Sequence, residues 1–130
     1  MDQGHGQCFL ANPHIAELVK ETFHRSDGYA YILYAYTIMP NHVHLLIEQE
    51  EGHPLGKVVR TWKSRSSVMC NRALRRTGAF WQIDYFDRFI RDSKHFGAVV
   101  EYLAMNPVKA GLVSDYGAWP HTWIRQDLME

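Results

Sequence analysis

The stretch YAYILYAYTIMPNHVHLLIE, residues 29–48, decides the fold. Its first part, 29–39, is so dense in aromatic and β-branched residues that it predicts a strand with both faces largely covered. Pro40-Asn41 supplies a turn. In HVHLLIE, 42–48, successive side chains alternate, so Val43, Leu45 and Ile47 point one way and His42, His44 and Leu46 the other. Two such runs joined by a short turn predict an antiparallel hairpin.

Upstream of the hairpin, residues 12–24 read as a helix. Asn12 is placed to cap it, Pro13 suits its first position, and Ile15, Leu18, Val19 and Phe23 form its apolar stripe. Downstream, apolar residues at 55, 58, 59, 62, 69 and 73 predict a second helix from Leu55 to about Leu74, stopped by Thr77-Gly78. FWQIDYFDRFIRD, 80–92, reads as a third strand. Ser93 can cap a last helix running through Asn106, with Pro107 as its stop. The tail from Leu112, with Trp119-Pro120 and Trp123, suggests irregular packing. No repeat or linker interrupts the pattern, so residues 1–130 are expected to form a single domain.

Composition narrows the function classes. With 46% hydrophobic and 22% charged residues, the chain is neither a disordered tail nor a collagenous repeat. Cys8 and Cys70 stand 62 positions apart without a CxxC partner, which excludes a zinc knuckle or a redox motif and makes a reduced, cytosolic setting the expectation. No apolar run approaches the roughly 20 residues of a membrane span, and MDQGHGQC lacks the basic and apolar regions of a signal peptide. The zero net charge hides an asymmetry: residues 55–94 carry ten Lys or Arg against three Asp, the rest four against eleven acids. A basic segment within a neutral chain suggests a localised polyanion site, although solvated helix residues would give the same count.

His42-Val43-His44 is the sharpest chemical feature. Imidazoles at i and i+2 of a strand share a face and can chelate one metal, with Val43 anchoring the strand between them. The spacing alone more often marks two satisfied surface or core histidines, so a metal site needs a third ligand. On the last helix Tyr102 and Asn106 are one turn apart, with His95 two turns earlier near the same azimuth. Read without further context, Tyr102 is also a boundary aromatic and Asn106 a helix stop.

Together, YTIMPNHVHLLIE, FWQIDYFDRFIRD and YLAMNPVKAGLV resemble the REP-associated tyrosine transposases, a branch of the single-tyrosine HUH transposases, over about Gly4 to Trp123. The resemblance implies an α+β fold: a ferredoxin-like antiparallel sheet with helices on one face. It implies a nuclease and strand transferase on single-stranded or hairpin DNA, with His42, His44 and Asn106 as metal ligands and Tyr102 as the nucleophile of a 5′-phosphotyrosine intermediate. Mg2+ or Mn2+ is the expected cofactor, although imidazoles also accept zinc, nickel or cobalt. His95 is either an auxiliary proton-transfer group or a half-buried helix histidine. Lys57, Arg60, Lys63, Arg65, Arg72, Arg75 and Arg76 would contact phosphates. Trp81 and Trp119 could stack bases, but core packing is the stronger expectation for both.

The alternative is a decayed or domesticated relative that binds such DNA without cutting. A cytoplasmic, bacterial nucleoid-associated location is expected. Relatives usually carry a strand ahead of the first helix, so the chain is expected to be N-terminally truncated. That would leave hairpin 29–48 with an unpaired edge, open to homodimer formation or marginal stability.

Overall fold

The computed structural model describes residues 8–81, 86–90 and 96–125, with the backbone alone for 86–90, Phe96 and Tyr116. In chain order the elements are α1 (Pro13–Arg25), β1 (Tyr31–Ile38), β2 (Val43–Gln49), α2 (Leu55–Leu74), β3 (Phe86–Ile90), α3 (Phe96–Lys109) and β4 (Thr122–Ile124). Short 3-10 turns at Phe9–Ala11 and Tyr116–Ala118 flank them. The sheet order is β3-β2-β1-β4.

Local chemistry accounts for the first elements. The Asn12 side chain accepts the His14 N–H at 2.9 Å and Pro13 occupies the first turn, so α1 begins where an orphan donor is satisfied. In the hairpin turn, the Met39 N–H donates to the His42 carbonyl at 2.7 Å. β1 and β2 then pair antiparallel from Ile38–Val43 to Tyr31–Gln49.

The ladder shifts register between Leu33 and Ala35, so Tyr34 is an extra residue on β1. Such a bulge reverses the parity of the strand. Tyr31 and Leu33 before it therefore share the face used by Tyr36 and Ile38 after it. Backbone groups displaced by the bulge find partners elsewhere: Asp27 Oδ1 accepts the Leu33 N–H at 2.9 Å, and Arg125 donates through Nε to the Leu33 carbonyl at 2.8 Å. The Arg125 backbone N–H reaches the Tyr34 carbonyl, and its guanidinium bridges to Asp27 at 2.6 Å, closing a clamp around the irregularity.

The α+β class stands, but the layers differ from a sheet with helices on one face only. α1 and α2 cover one face, packing Ile15, Val19, Phe23, Val58 and Trp62 on Leu33, Tyr36, Val43, Leu45 and Ile47. α3 covers the other, seating Leu103 on Ala35 and Leu46. Both faces of the hairpin are apolar, and each needs a layer.

The sheet is also not antiparallel throughout. β3 pairs with β2 in parallel, from Val43–Phe86 to Ile47–Ile90. α2 carries the chain back along the sheet, so the strand after it runs in the direction of β2. Consequently the hairpin is not left with a bare edge: β3 pairs with β2, and the short β4 pairs with part of β1.

Two further expectations are corrected. Pro107 does not end the last helix but sits inside α3, which continues to Lys109, where Ala110 N–H bonds the Asn106 carbonyl. Proline removes one donor from the ladder, and so near a C-terminus little further helix depends on it. The tail is not wholly irregular: β4 adds to β1 antiparallel through Ala35–Ile124, Tyr36–Trp123 and Thr37–Thr122. Trp123 stacks on Tyr36 at 5.8 Å and meets His24 edge-on at 4.8 Å, which fixes this three-residue strand. Of the third strand expected over 80–92, the described part is 86–90; the rest, apart from Phe80 and Trp81, and the cap at Ser93 lie outside the described residues. No helix among the described residues is long and apolar enough to cross a membrane.

Candidate active site

The site starts from the alternation of β2. Val43 is fully buried beneath α1 and α2. His44, at 3% exposure, faces the opposite layer, where α3 lies, and His42 stands half-exposed at the mouth of the turn. Their Nε2 atoms are 3.1 Å apart, with the rings 89° to one another. Two imidazole nitrogens bound cis to one ion at about 2.1 Å are separated by about 3 Å, so this pair has the bite of a chelate.

The tautomer of His42 is fixed by its neighbour. Asn41 Oδ1 lies 2.8 Å from His42 Nδ1, and an amide oxygen can only accept. The proton therefore belongs on Nδ1, leaving the Nε2 lone pair directed at His44. Hydrogen bonds of this kind orient metal-binding histidines. Sequence reasoning gave Asn41 only a turn role; its position next to His42 was the available signal.

α3 brings the tyrosine. Leu103 is fully buried against Ala35 and Leu46 and sets the helix on the sheet, while Tyr102 beside it remains 41% exposed. The Tyr102 ring meets the His44 ring edge-on at 5.6 Å. Asn106, half-buried, follows one turn later on the same side of α3. Lys109 Nζ lies 6.0 Å from the Tyr102 ring centroid, a cationic neighbour that the spacing Tyr102–Lys109, two turns, could have suggested. Thus two predicted ligands and the predicted nucleophile are adjacent, although they come from segments sixty residues apart. His95 lies outside the described residues.

Among the described residues no group of three His, Cys, Asp or Glu side chains is arranged for a metal. A set of His42, His44 and the amide of Asn106 is not such a group. The two converging Nε2 atoms and the Asn41 hydrogen bond are what fit an ion here.

The basic residues occupy another layer. Lys57, Arg60, Arg65, Arg72 and Arg75 are exposed on or just after α2, across the sheet from α3, and Lys63 is half-buried. Arg76 braces the chain after α2, donating to Asn71 Oδ1 at 2.7 Å and to the Ala79 carbonyl and lying 4.7 Å over Phe9. Arg75 takes the left-handed conformation, φ 56°, that ends α2. Trp81 and Trp119 are tied inward, donating to Ser66 Oγ at 2.7 Å and to the Ile38 carbonyl at 3.1 Å.

The chain belongs to the IS200-like transposase family, whose model matches residues 8–106, a span that includes the histidine pair and Tyr102. More particularly, it is similar to REP-associated tyrosine transposases. It is 27% identical over 95 residues to the one from Escherichia coli, a match covering 72% of this chain and 54% of that protein. It is 26% identical over 112 residues to a candidate member from Haemophilus influenzae, covering 78% and 64%. The chain thus spans less than two-thirds of the length of these curated relatives. A solved REP-associated tyrosine transposase bound to a REP hairpin shares the fold, with a TM-score of 0.70 at 20% identity over 98% of this chain and 74% of that one.

Proposed function

We propose that the protein cleaves and rejoins single-stranded DNA carrying a hairpin, in a divalent-metal-dependent transposase reaction. The carrying observation is the contact between Tyr102 and the histidine pair, His44 ring to Tyr102 ring at 5.6 Å, with the two Nε2 atoms 3.1 Å apart. Similarity to a transposase solved on a REP hairpin supports the choice of DNA.

In this reading His42, His44 and Asn106 hold Mg2+ or Mn2+. The bound ion supplies Lewis-acid polarisation of a scissile phosphate. Tyr102, exposed at the rim of α3, is accessible to a DNA strand and attacks phosphorus through Oη. A 5′-phosphotyrosine forms and a 3′-hydroxyl leaves, conserving the phosphodiester for rejoining. Asn41 holds the His42 ring and its tautomer, Leu103 holds the helix at its distance from the sheet, and exposed cations of α2 attract the phosphate backbone.

The test is mass spectrometry of the protein incubated with Mn2+ and a hairpin oligonucleotide bearing single-stranded flanks. A covalent adduct on Tyr102, absent from Tyr102→Phe, is expected. DNA binding with no adduct in the wild type would overturn cleavage and favour a binding-only relative.

A further inference from the structure

A cavity of about 230 Å³ opens at the far end of the hairpin from His42 and His44, on the α1–α2 face of the sheet. One wall is a stripe of α2: Lys57, Thr61 and Arg65, spaced i, i+4 and i+8 and all exposed. Among the described residues the lining contains no carboxylate. Neither Lys57 nor Arg65 has an ion-pair partner among the described residues. Two cations therefore face one small space without a compensating carboxylate among the described residues.

The lining also includes the rings of Tyr29 and His53. Tyr29 holds its ring 72% exposed, edge-on to His53 at 4.9 Å. The floor is Trp62 and Tyr31, at 2% and 1% exposure, with Trp62 Nε1 donating to the Tyr31 hydroxyl at 2.8 Å and that hydroxyl donating to the Phe23 carbonyl. Burial pushes the Tyr31 phenol up to about 12, against the opposing effect of the Trp62 hydrogen bond. With their polar atoms engaged and their rings buried, Trp62 and Tyr31 make an apolar floor, and the ring surface open to a ligand is that of Tyr29. The space thus matches a ligand with one flat ring and one anionic group, smaller than the drug-sized ligands of roughly 300–1,000 Å³ pockets.

We infer that this cavity takes one unpaired nucleotide of the DNA, its base against Tyr29 and His53 and its phosphate against Lys57 and Arg65. The inference rests on the DNA reading above and adds a second anchoring point for a single-stranded flank. Along β1, Tyr31 is six residues from Thr37, the partner of His44, or about 20 Å, and the cavity is on the other face of the sheet. A strand reaching both places passes around the sheet, which lets the two be tested apart.

The probe is a DNA hairpin made in two forms, bare and with a flank of unpaired thymidines, one replaced by 5-iodouracil. Fluorescence anisotropy should show the flanked form bound about tenfold more tightly, the size of one base stacked on an aromatic ring. Tyr29→Ala should erase that gain and leave bare-hairpin affinity unchanged, and Tyr29→Phe should retain it. Ultraviolet crosslinking should place the iodouracil on peptides containing Tyr29 or His53. Equal binding of both forms, a gain that survives Tyr29→Ala, or crosslinks confined to α3 would overturn the cavity assignment alone. Failure to bind either form would overturn the DNA reading itself, and the cavity assignment with it.

Discussion

Replacing Asn41 by alanine isolates the contact that orients the histidine pair. The substitution removes the acceptor 2.8 Å from His42 Nδ1 and leaves the core and all three proposed ligands in place. Without it the ring is free to rotate and to place its proton on Nε2, where it would oppose a metal. Loss of such orienting bonds weakens metal binding by about 10–100-fold. Asn41 and His42 are both partly exposed, so water replaces some of the lost bond and the lower end, about tenfold, applies. At a Mn2+ concentration one hundred times the wild-type Kd, metal-linked stabilisation should fall from about 2.7 to about 1.4 kcal/mol. For a domain of this size that is about 5 °C of the Mn2+-dependent rise in Tm. Differential scanning fluorimetry with and without Mn2+ reads the difference, and calorimetry gives the Kd directly. Asn41→Asp, still an acceptor, should bind at least as tightly as wild type. An alanine variant with the wild-type Mn2+ shift would show that Asn41 does not set the His42 tautomer.

Charge reversal of Lys57, Arg60 and Arg72 to glutamate should lower single-stranded DNA affinity and flatten its dependence on salt by up to about 2 units of log–log slope, at ~0.7 per lost phosphate contact; an unchanged slope in a salt titration would reduce the arc to a solvated helix face. Leu103→Ala should cost about 2–5 kcal/mol in urea denaturation, because the side chain is fully buried between α3 and the sheet, and should abolish the Tyr102 adduct. A loss below about 1 kcal/mol would mean that α3 is held in place by other contacts.

The hairpin and α2 were legible because their signals are local. α2 runs from Leu55 to Leu74 as its apolar spacing indicates, and the turn at Pro40-Asn41 falls where the two strand patterns meet. The bulge at Tyr34 was not legible, since YAYILYAY is apolar on both faces and a change of parity leaves no mark in such a run. Of its determinants, Asp27 is near in sequence but part of no periodic pattern, whereas Arg125 is distant and acts only once β4 is docked. β4 itself has three residues, too few for a pattern, and owes its place to Trp123 packing on Tyr36 and His24. The layering was misjudged for a related reason: stripes show that a helix is buried but not on which face of a sheet, a choice made by the whole hairpin.

The nearness of the histidine pair to Tyr102 was more legible than the layers around it, and strand register explains why. On β2 the residues that lock the strand into the core, Val43, Leu45 and Ile47, alternate with those that face α3, His44 and Leu46. A slip of one residue would bury a histidine under α1 and α2 and turn Val43, Leu45 and Ile47 out of that core toward α3, so the core enforces the orientation of the histidines. Similarly, Leu103 is buried on the sheet and its neighbour Tyr102 is left at the rim. In both elements the proposed site residue is adjacent in sequence to a fully buried anchor. The anchors set the ring positions of His44 and Tyr102 and thereby the 5.6 Å contact between them. What they leave undetermined is rotation of the more exposed His42 ring, and that remaining freedom is the one restrained by Asn41.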